Sequence, residues 1–107
     1  MTWRVSLTAE AEAELQDWPL PLRAALARVV ERVEHVGLDR LGEPFAKHLE
    51  GKLWELRVSG DRTEGRALYV TRLGKRLVIV LAFQKKTRKT PRRYIDTALD
   101  RAKRIDP

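Results

Sequence analysis

Leu77-Val78-Ile79-Val80-Leu81-Ala82-Phe83 runs without a polar residue into Gln84-Lys85-Lys86-Thr87-Arg88-Lys89-Thr90-Pro91-Arg92-Arg93-Tyr94. The first part is short, apolar on both faces and rich in β-branched side chains, which predicts a strand covered on both sides. Thr90 and Pro91 then predict a helix start, with Thr90 as the N-cap and Pro91 at the first helical position, where a missing N–H does no harm. Ile95, Ala98, Leu99, Ala102 and Ile105 supply the buried stripe of that helix. Six cations (Lys85, Lys86, Arg88, Lys89, Arg92 and Arg93) therefore crowd a strand-to-helix junction. Positive charge gathered on so rigid a base suits a polyanion.

Working back from this stretch, the period is two as far as Lys52. Trp54, Leu56 and Val58 share one face of a strand and Glu55 and Arg57 the other, Ser59-Gly60-Asp61-Arg62 makes a turn, and Arg66 to Thr71 is the next strand. Gly74-Lys75 is a tight turn into Leu77–Phe83, so these strands form an antiparallel meander. Arg57 and Arg66 then point from one face of neighbouring strands. Ala46-Lys47-His48-Leu49 fits either a brief edge strand or a coil, and Gly42-Glu43-Pro44 marks a loop. Further back the period becomes helical. Leu22, Leu26, Val29, Val30, Val33 and Val36 make the clearest stripe in the chain, closed by Gly37 as a C-cap. Thr8 caps an earlier helix, with Glu10 and Glu12 in its first turn and Ala11, Leu15 and Trp18 on one face. Trp18-Pro19-Leu20-Pro21 breaks it, and the short link predicts an antiparallel helical hairpin. Arg4–Leu7 alternates like a short first strand. The expectation is an α+β domain: an N-terminal helical hairpin packed on a three- to four-stranded antiparallel sheet, with a C-terminal helix.

The 107 residues fit one domain with a modest core. No apolar run approaches the roughly 20 residues of a membrane span, and the opening Met1-Thr2-Trp3-Arg4 lacks the apolar centre of a signal peptide. The absence of cysteine rules out disulfides and thiolate metal sites and makes the cytoplasm the expected location. Charge is divided unevenly. The first 51 residues carry 6 basic and 9 acidic side chains, and the remainder carries 16 and 6, a net −3 against +10. Such a division is the electrostatic footprint of a nucleic-acid binder, against the blander reading of a solvated basic surface.

Familiar catalytic machinery is sparse. There is no cysteine nucleophile and no glycine-rich phosphate loop, the carboxylates of the basic half are too scattered for a metal site, and no cofactor is expected. His35 and His48 are read first as structural, His48 being the outside candidate because it adjoins the basic sheet. Arg57 and Arg66 could equally be strand arginines paired with Glu55 or Glu64. Arg92 and Arg93 stand in the first turn of the last helix, where the dipole opposes positive charge by about 0.3–1 kcal/mol. A phosphate accepting their guanidinia and the backbone N–H groups would resolve that conflict.

Leu53-Trp54-Glu55-Leu56-Arg57, Gly65-Arg66-Ala67-Leu68-Tyr69, Phe83-Gln84-Lys85-Lys86-Thr87-Arg88-Lys89-Thr90-Pro91, then Ile95 and Ala98, together resemble the RelE/ParE toxin superfamily, and within it the HigB branch and its phage-derived relatives. The likeness covers nearly the whole chain and is most specific in the Phe-x-Lys-Lys-Thr-x-Lys-Thr-Pro segment. It implies the toxin of a type II toxin–antitoxin pair, a metal-independent endoribonuclease (mRNA interferase) that cuts mRNA in the ribosomal A site. The implied partner is a cognate antitoxin, HigA-like with a helix-turn-helix. In such cleavage the 2′-hydroxyl attacks its own phosphate, which needs a base, positive charge on the phosphorane and an acid for the 5′-oxygen.

By position, the resemblance makes Arg66 the stabiliser of the transition-state phosphate, Lys85 and Lys86 the basic pair after the last strand, and Arg57 an RNA-backbone contact. Arg88, Lys89, Arg92 and Arg93 extend the RNA-binding surface. A free lysine, with a pKa near about 10.4, is a poor base at neutral pH, but neighbouring cations and burial lower that value. Tyr94 matches the tyrosine that some relatives use as base or for stacking, with packing beside Ile95 as its structural alternative. Trp3, Trp18 and Trp54 are read as core. Two other functions fit the same sequence: a ParE-like gyrase inhibitor, and a nucleic-acid-binding module without chemistry.

Overall fold

The computed structural model describes residues 2–42 and 45–107; Met1 and the Glu43-Pro44 part of the expected loop lie outside the described residues. The chain runs β1 (Arg4–Leu7), α1 (Ala9–Leu15), α2 (Leu20–Val36), a 3-10 turn (Leu38–Arg40), β2 (Ala46–Glu50), β3 (Leu53–Gly60), β4 (Thr63–Arg72), β5 (Arg76–Gln84) and α3 (Arg92–Ala102). The α+β class holds. The sheet, however, has five strands in the order β1-β5-β4-β3-β2 and is mixed, not wholly antiparallel. β1 lies parallel to β5, with Arg4 opposite Arg76 and Leu7 opposite Ile79. A parallel neighbour requires a crossover, and here everything from α1 to β4 serves as one, which no local period reveals. Ala46–Leu49 resolves as a strand, since β2 pairs with β3.

The two N-terminal helices pack on the sheet more than on each other, α1 against β5 and α2 against β3, so the expected hairpin is a side-by-side layer. Trp18 sits between them, 3% exposed, with its ring over Gly65 of β4. A Cβ on Gly65 would come within 2.5 Å of that ring, so glycine is needed there. Pro21 does not break α2. It falls in the first helical turn, where no N–H is required, and the helix begins at Leu20, two residues ahead of the first residue of its apolar stripe. Leu22, Leu26, Val29 and Val33 bury as their spacing requires, while Val36, at the helix end, is largely exposed.

One core, with Leu56, Val58, Ala67, Tyr69, Leu77 and Ile79 from the sheet, lies under α1 and α2. A second, with Leu53, Leu68, Val70, Val78, Val80 and Leu81, lies under α3. Each fully buried aliphatic side chain contributes about 1.5–3 kcal/mol, and β5, feeding both cores, is buried on both faces as its composition requires. Trp54 points to the same face as Leu56 but remains 39% exposed, edge-on to His48 of the edge strand β2, so it is not the core residue expected. The β3–β4 turn is tighter than expected, with Asp61 and Arg62 both at positive φ, as a two-residue hairpin turn requires.

The β1 flank of the sheet is closed by side chains. Glu34 of α2 accepts a hydrogen bond from the Val5 N–H at 3.2 Å. Where β1 stops and β5 is irregular near Val80, Glu14 accepts from the Ala82 N–H at 3.0 Å, and Arg101 of α3 donates to the Val80 carbonyl at 2.9 Å. Glu14 and Arg101 are themselves paired at 3.0 Å, so the Val80 carbonyl and the Ala82 N–H beyond the end of β1 are both bonded.

Candidate functional site

Arg57 and Arg66 stand directly opposite each other across β3 and β4. Glu55, two residues before Arg57 and on the same face, lies between them. It is 2% exposed, with Oε2 3.3 Å from Arg57 Nε and 3.7 Å from Arg66 Nε. Its other oxygen accepts from the Thr90 hydroxyl at 2.7 Å. A buried carboxylate is costly unless paired and hydrogen-bonded, and here both conditions are met from three separate segments. Thr90 is therefore not the helix cap that the sequence suggests. α3 starts one residue later, with Pro91 as N-cap and no side-chain cap, because the Thr90 hydroxyl is engaged by Glu55.

Arg66 is itself 4% exposed and also donates to the Gly65 carbonyl and to Glu64. Lys85 extends the β4–β5 ladder through its N–H to the Glu64 carbonyl and places its ammonium 4.0 Å from the Glu64 carboxylate. Arg57, Arg66, Lys85 and Glu64 thus line one cleft of about 540 Å³, which opens over the edge of β3. Its far wall is α2, through Arg28 and Arg32, and its floor includes Phe45.

Lys86 is not in this cleft. Successive residues of an extended chain point to opposite sides, and Lys86 lines a second cleft of about 370 Å³ with Glu14, Asp17, Thr87, Arg93 and Tyr94. Tyr94 stacks on Phe83 with ring centroids 4.3 Å apart, and the Arg93 guanidinium lies 4.6 Å over its other side. The two tyrosines therefore differ: burial pushes the Tyr69 phenol up to about 12, and Tyr94 is held by stacking at a cleft wall. Arg88 and Lys89 are exposed in the intervening loop, and Lys89 uses its carbonyl to accept from Thr87.

Arg92 departs most from expectation. The conflict at the start of α3 is already resolved by protein carboxylates: Arg92 binds both oxygens of Glu50, at 2.6 and 2.9 Å, and reaches Asp96 at 2.9 Å. Hydrogen bonding from Arg92 holds the Glu50 carboxyl below its usual range, and these carboxylates raise the Arg92 pKa in turn. A bound phosphate is not needed at this guanidinium. His48 bonds the Gly51 carbonyl at the β2–β3 turn and lines neither cationic cleft, and His35 is exposed at the end of α2.

Sequence reasoning passed over Arg28, Arg32 and the carboxylates as site members. Arg28 and Arg32 carried a legible signal, standing four residues apart on the polar side of an amphipathic helix. Glu55 carried only a weak one, its polar character on a strand face opposite Leu56. Among the described residues no cluster of His, Asp and Glu could hold a metal ion, and no helix is long and apolar enough to cross a membrane.

A sheet with two helices on one face, a third on the other and a cation-lined cleft at the strand ends defines a RelE-like α+β protein. A chain of the archaeal RelE–RelB complex from Pyrococcus horikoshii OT3 matches with a TM-score of 0.57 and 22% identity, over 83% of this chain and 100% of that one. Residues 13–103 match the phage-derived Gp49-like proteins (DUF891), and the chain belongs to that family; its likeness to the RelE chain is one of fold. No curated protein matches it.

Proposed function

We propose that the chain is the toxin of a type II toxin–antitoxin pair and cleaves mRNA on the ribosome as a metal-independent endoribonuclease. The observation that carries this reading is the convergence of Arg57, Arg66 and Lys85 on one cleft, with their orientation fixed by Glu55 and Glu64. In the proposed reaction the 2′-oxygen forms a bond to phosphorus as the bond from phosphorus to the 5′-oxygen breaks, leaving a 2′,3′-cyclic phosphate and a 5′-hydroxyl. Glu64 takes the proton of the 2′-hydroxyl, a task to which a carboxylate is better suited than an ammonium group. Lys85 donates a proton to the departing 5′-oxygen. Arg57 and Arg66 stabilise the phosphorane charge; held in place before substrate arrives, they need little reorganisation. Lys86, Arg93 and Tyr94, in the second cleft, contact the flanking nucleotides, with Arg88 and Lys89 on the loop between.

Its inhibitory partner in this reading is an antitoxin that offers acidic or apolar surface to the cationic clefts. Induction in bacteria followed by primer extension tests the function. Codon-phased mRNA ends should appear with the parent chain and disappear with Arg66→Ala and Lys85→Ala. Continued translation with a DNA-damage response would point instead to a gyrase target, and a folded product with no effect on growth would leave a binding module.

A further inference from the structure

The proposed chemistry leaves one wall of the large cleft unused. Arg28 and Arg32 stand one helical turn apart on α2, both exposed, and no carboxylate pairs with either among the described residues. This contrasts with Arg57, Arg66 and Lys85 across the cleft, each of which has a carboxylate within 4.0 Å. Arg32 lies 5.7 Å over the Phe45 ring, which gives its guanidinium a fixed bed. Their helix is held firmly, because Ala25 and Val29, on the same side, are buried against the sheet.

β2 pairs with β3 as far as Ala46 opposite Leu56, the Arg57 N–H goes to the Phe45 carbonyl, and among the described residues no strand pairs with β3 on that side beyond this point. The cleft therefore runs from the Arg57–Arg66 pair over the end of β3 to α2. Two guanidinia one turn apart, with no carboxylate partner among the described residues and facing a third across the cleft, make a track for consecutive phosphodiesters.

We infer that Arg28 and Arg32 form a phosphate-binding wall that holds the backbone of single-stranded RNA beside the reacting phosphate. The inference rests on the ribonuclease reading of the same cleft and deepens it by giving the strand a direction, across the β3 edge toward α2. The wall binds substrate and takes no part in proton transfer.

The test is fluorescence anisotropy of the purified chain with a labelled single-stranded RNA dodecamer over a range of salt concentrations. Each phosphate contact contributes about 0.7 to the slope of log affinity against log salt for single strands, so Arg28→Ala/Arg32→Ala should flatten the slope by about 1.4. Arg28→Lys/Arg32→Lys should largely restore it, and Arg4→Ala/Lys103→Ala, at the other end of the sheet, should leave it unchanged. In cells the double alanine variant should weaken cleavage without moving the cut positions. A folded double alanine variant with the parental slope would overturn the wall. So would an unchanged slope combined with lost affinity for an acidic antitoxin peptide, which would assign the two arginines to protein recognition. A parent chain with no salt-dependent RNA binding would remove the wall, while the ribonuclease reading stands or falls on the mRNA ends. The expected change in slope without any mRNA cleavage would keep the wall and remove the chemistry alone.

Discussion

Two pairs of arginines differ more than their sequence contexts suggest. Arg57 and Arg66, nine residues apart, meet across a strand pair and share one buried carboxylate. Arg92 and Arg93 are adjacent, yet one is clamped by Glu50 and Asp96 while the other lies on the Tyr94 ring. The inner pair is oriented by a buried carboxylate, and the outer pair by exposed contacts that salt and solvent weaken. Counting cations along the chain treats these four alike. Burial and partner determine which of them can hold a transition state in place.

Removing the shared carboxylate should break the contrast most strongly. Glu55→Ala leaves the guanidinium of Arg66 buried with only Glu64 and the Gly65 carbonyl beside it and should destabilise the fold by about 3–5 kcal/mol in denaturant titration. A variant as stable as the parent would show that water enters and that the inner pair is no different from the outer. Thr90→Val, which keeps the shape but deletes the hydrogen bond to Glu55, should cost about 1.5–3 kcal/mol and loosen the start of α3 in hydrogen exchange. Equal protection of that start in both proteins would argue that the Thr90 bond is incidental.

The smallest effect is expected at the outer pair. Because the folded pKa of Glu50 is lowered, its contribution is present above the unfolded value of about 4.3 and is lost as pH falls through the lower folded value. Unfolding midpoints of the parent and Glu50→Gln should therefore differ slightly at neutral pH and converge in acid. A difference that grows on acidification would reverse the assigned sign.

What was legible in the sequence follows from how far apart the partners lie. The helical stripe of α2 and the opposition of Arg57 and Arg66 depend on short turns and fixed periods, so local pattern suffices for both. The parallel seat of β1 beside β5 depends on a crossover of most of the chain, and the Arg92–Glu50 pair spans 42 residues. The divergence of Lys85 and Lys86 into separate clefts was available from strand geometry alone. The resemblance to a toxin family treats them as a unit, and the structure separates them.

The carboxylates on the β1 flank have a consequence for the protein in crowded solution. β5 is an unbroken apolar strand of a kind that readily recruits a second chain when its backbone is left open. Glu34 and Glu14 occupy N–H donors that an incoming strand would need, and each brings a negative charge that such a strand would have to displace. At the other rim β2 is five residues long and interrupted between His48 and Glu50, a poor template for the same addition. The sheet is thus guarded by acid on one side and by brevity and irregularity on the other, which allows so apolar a centre to stay out of intermolecular sheets.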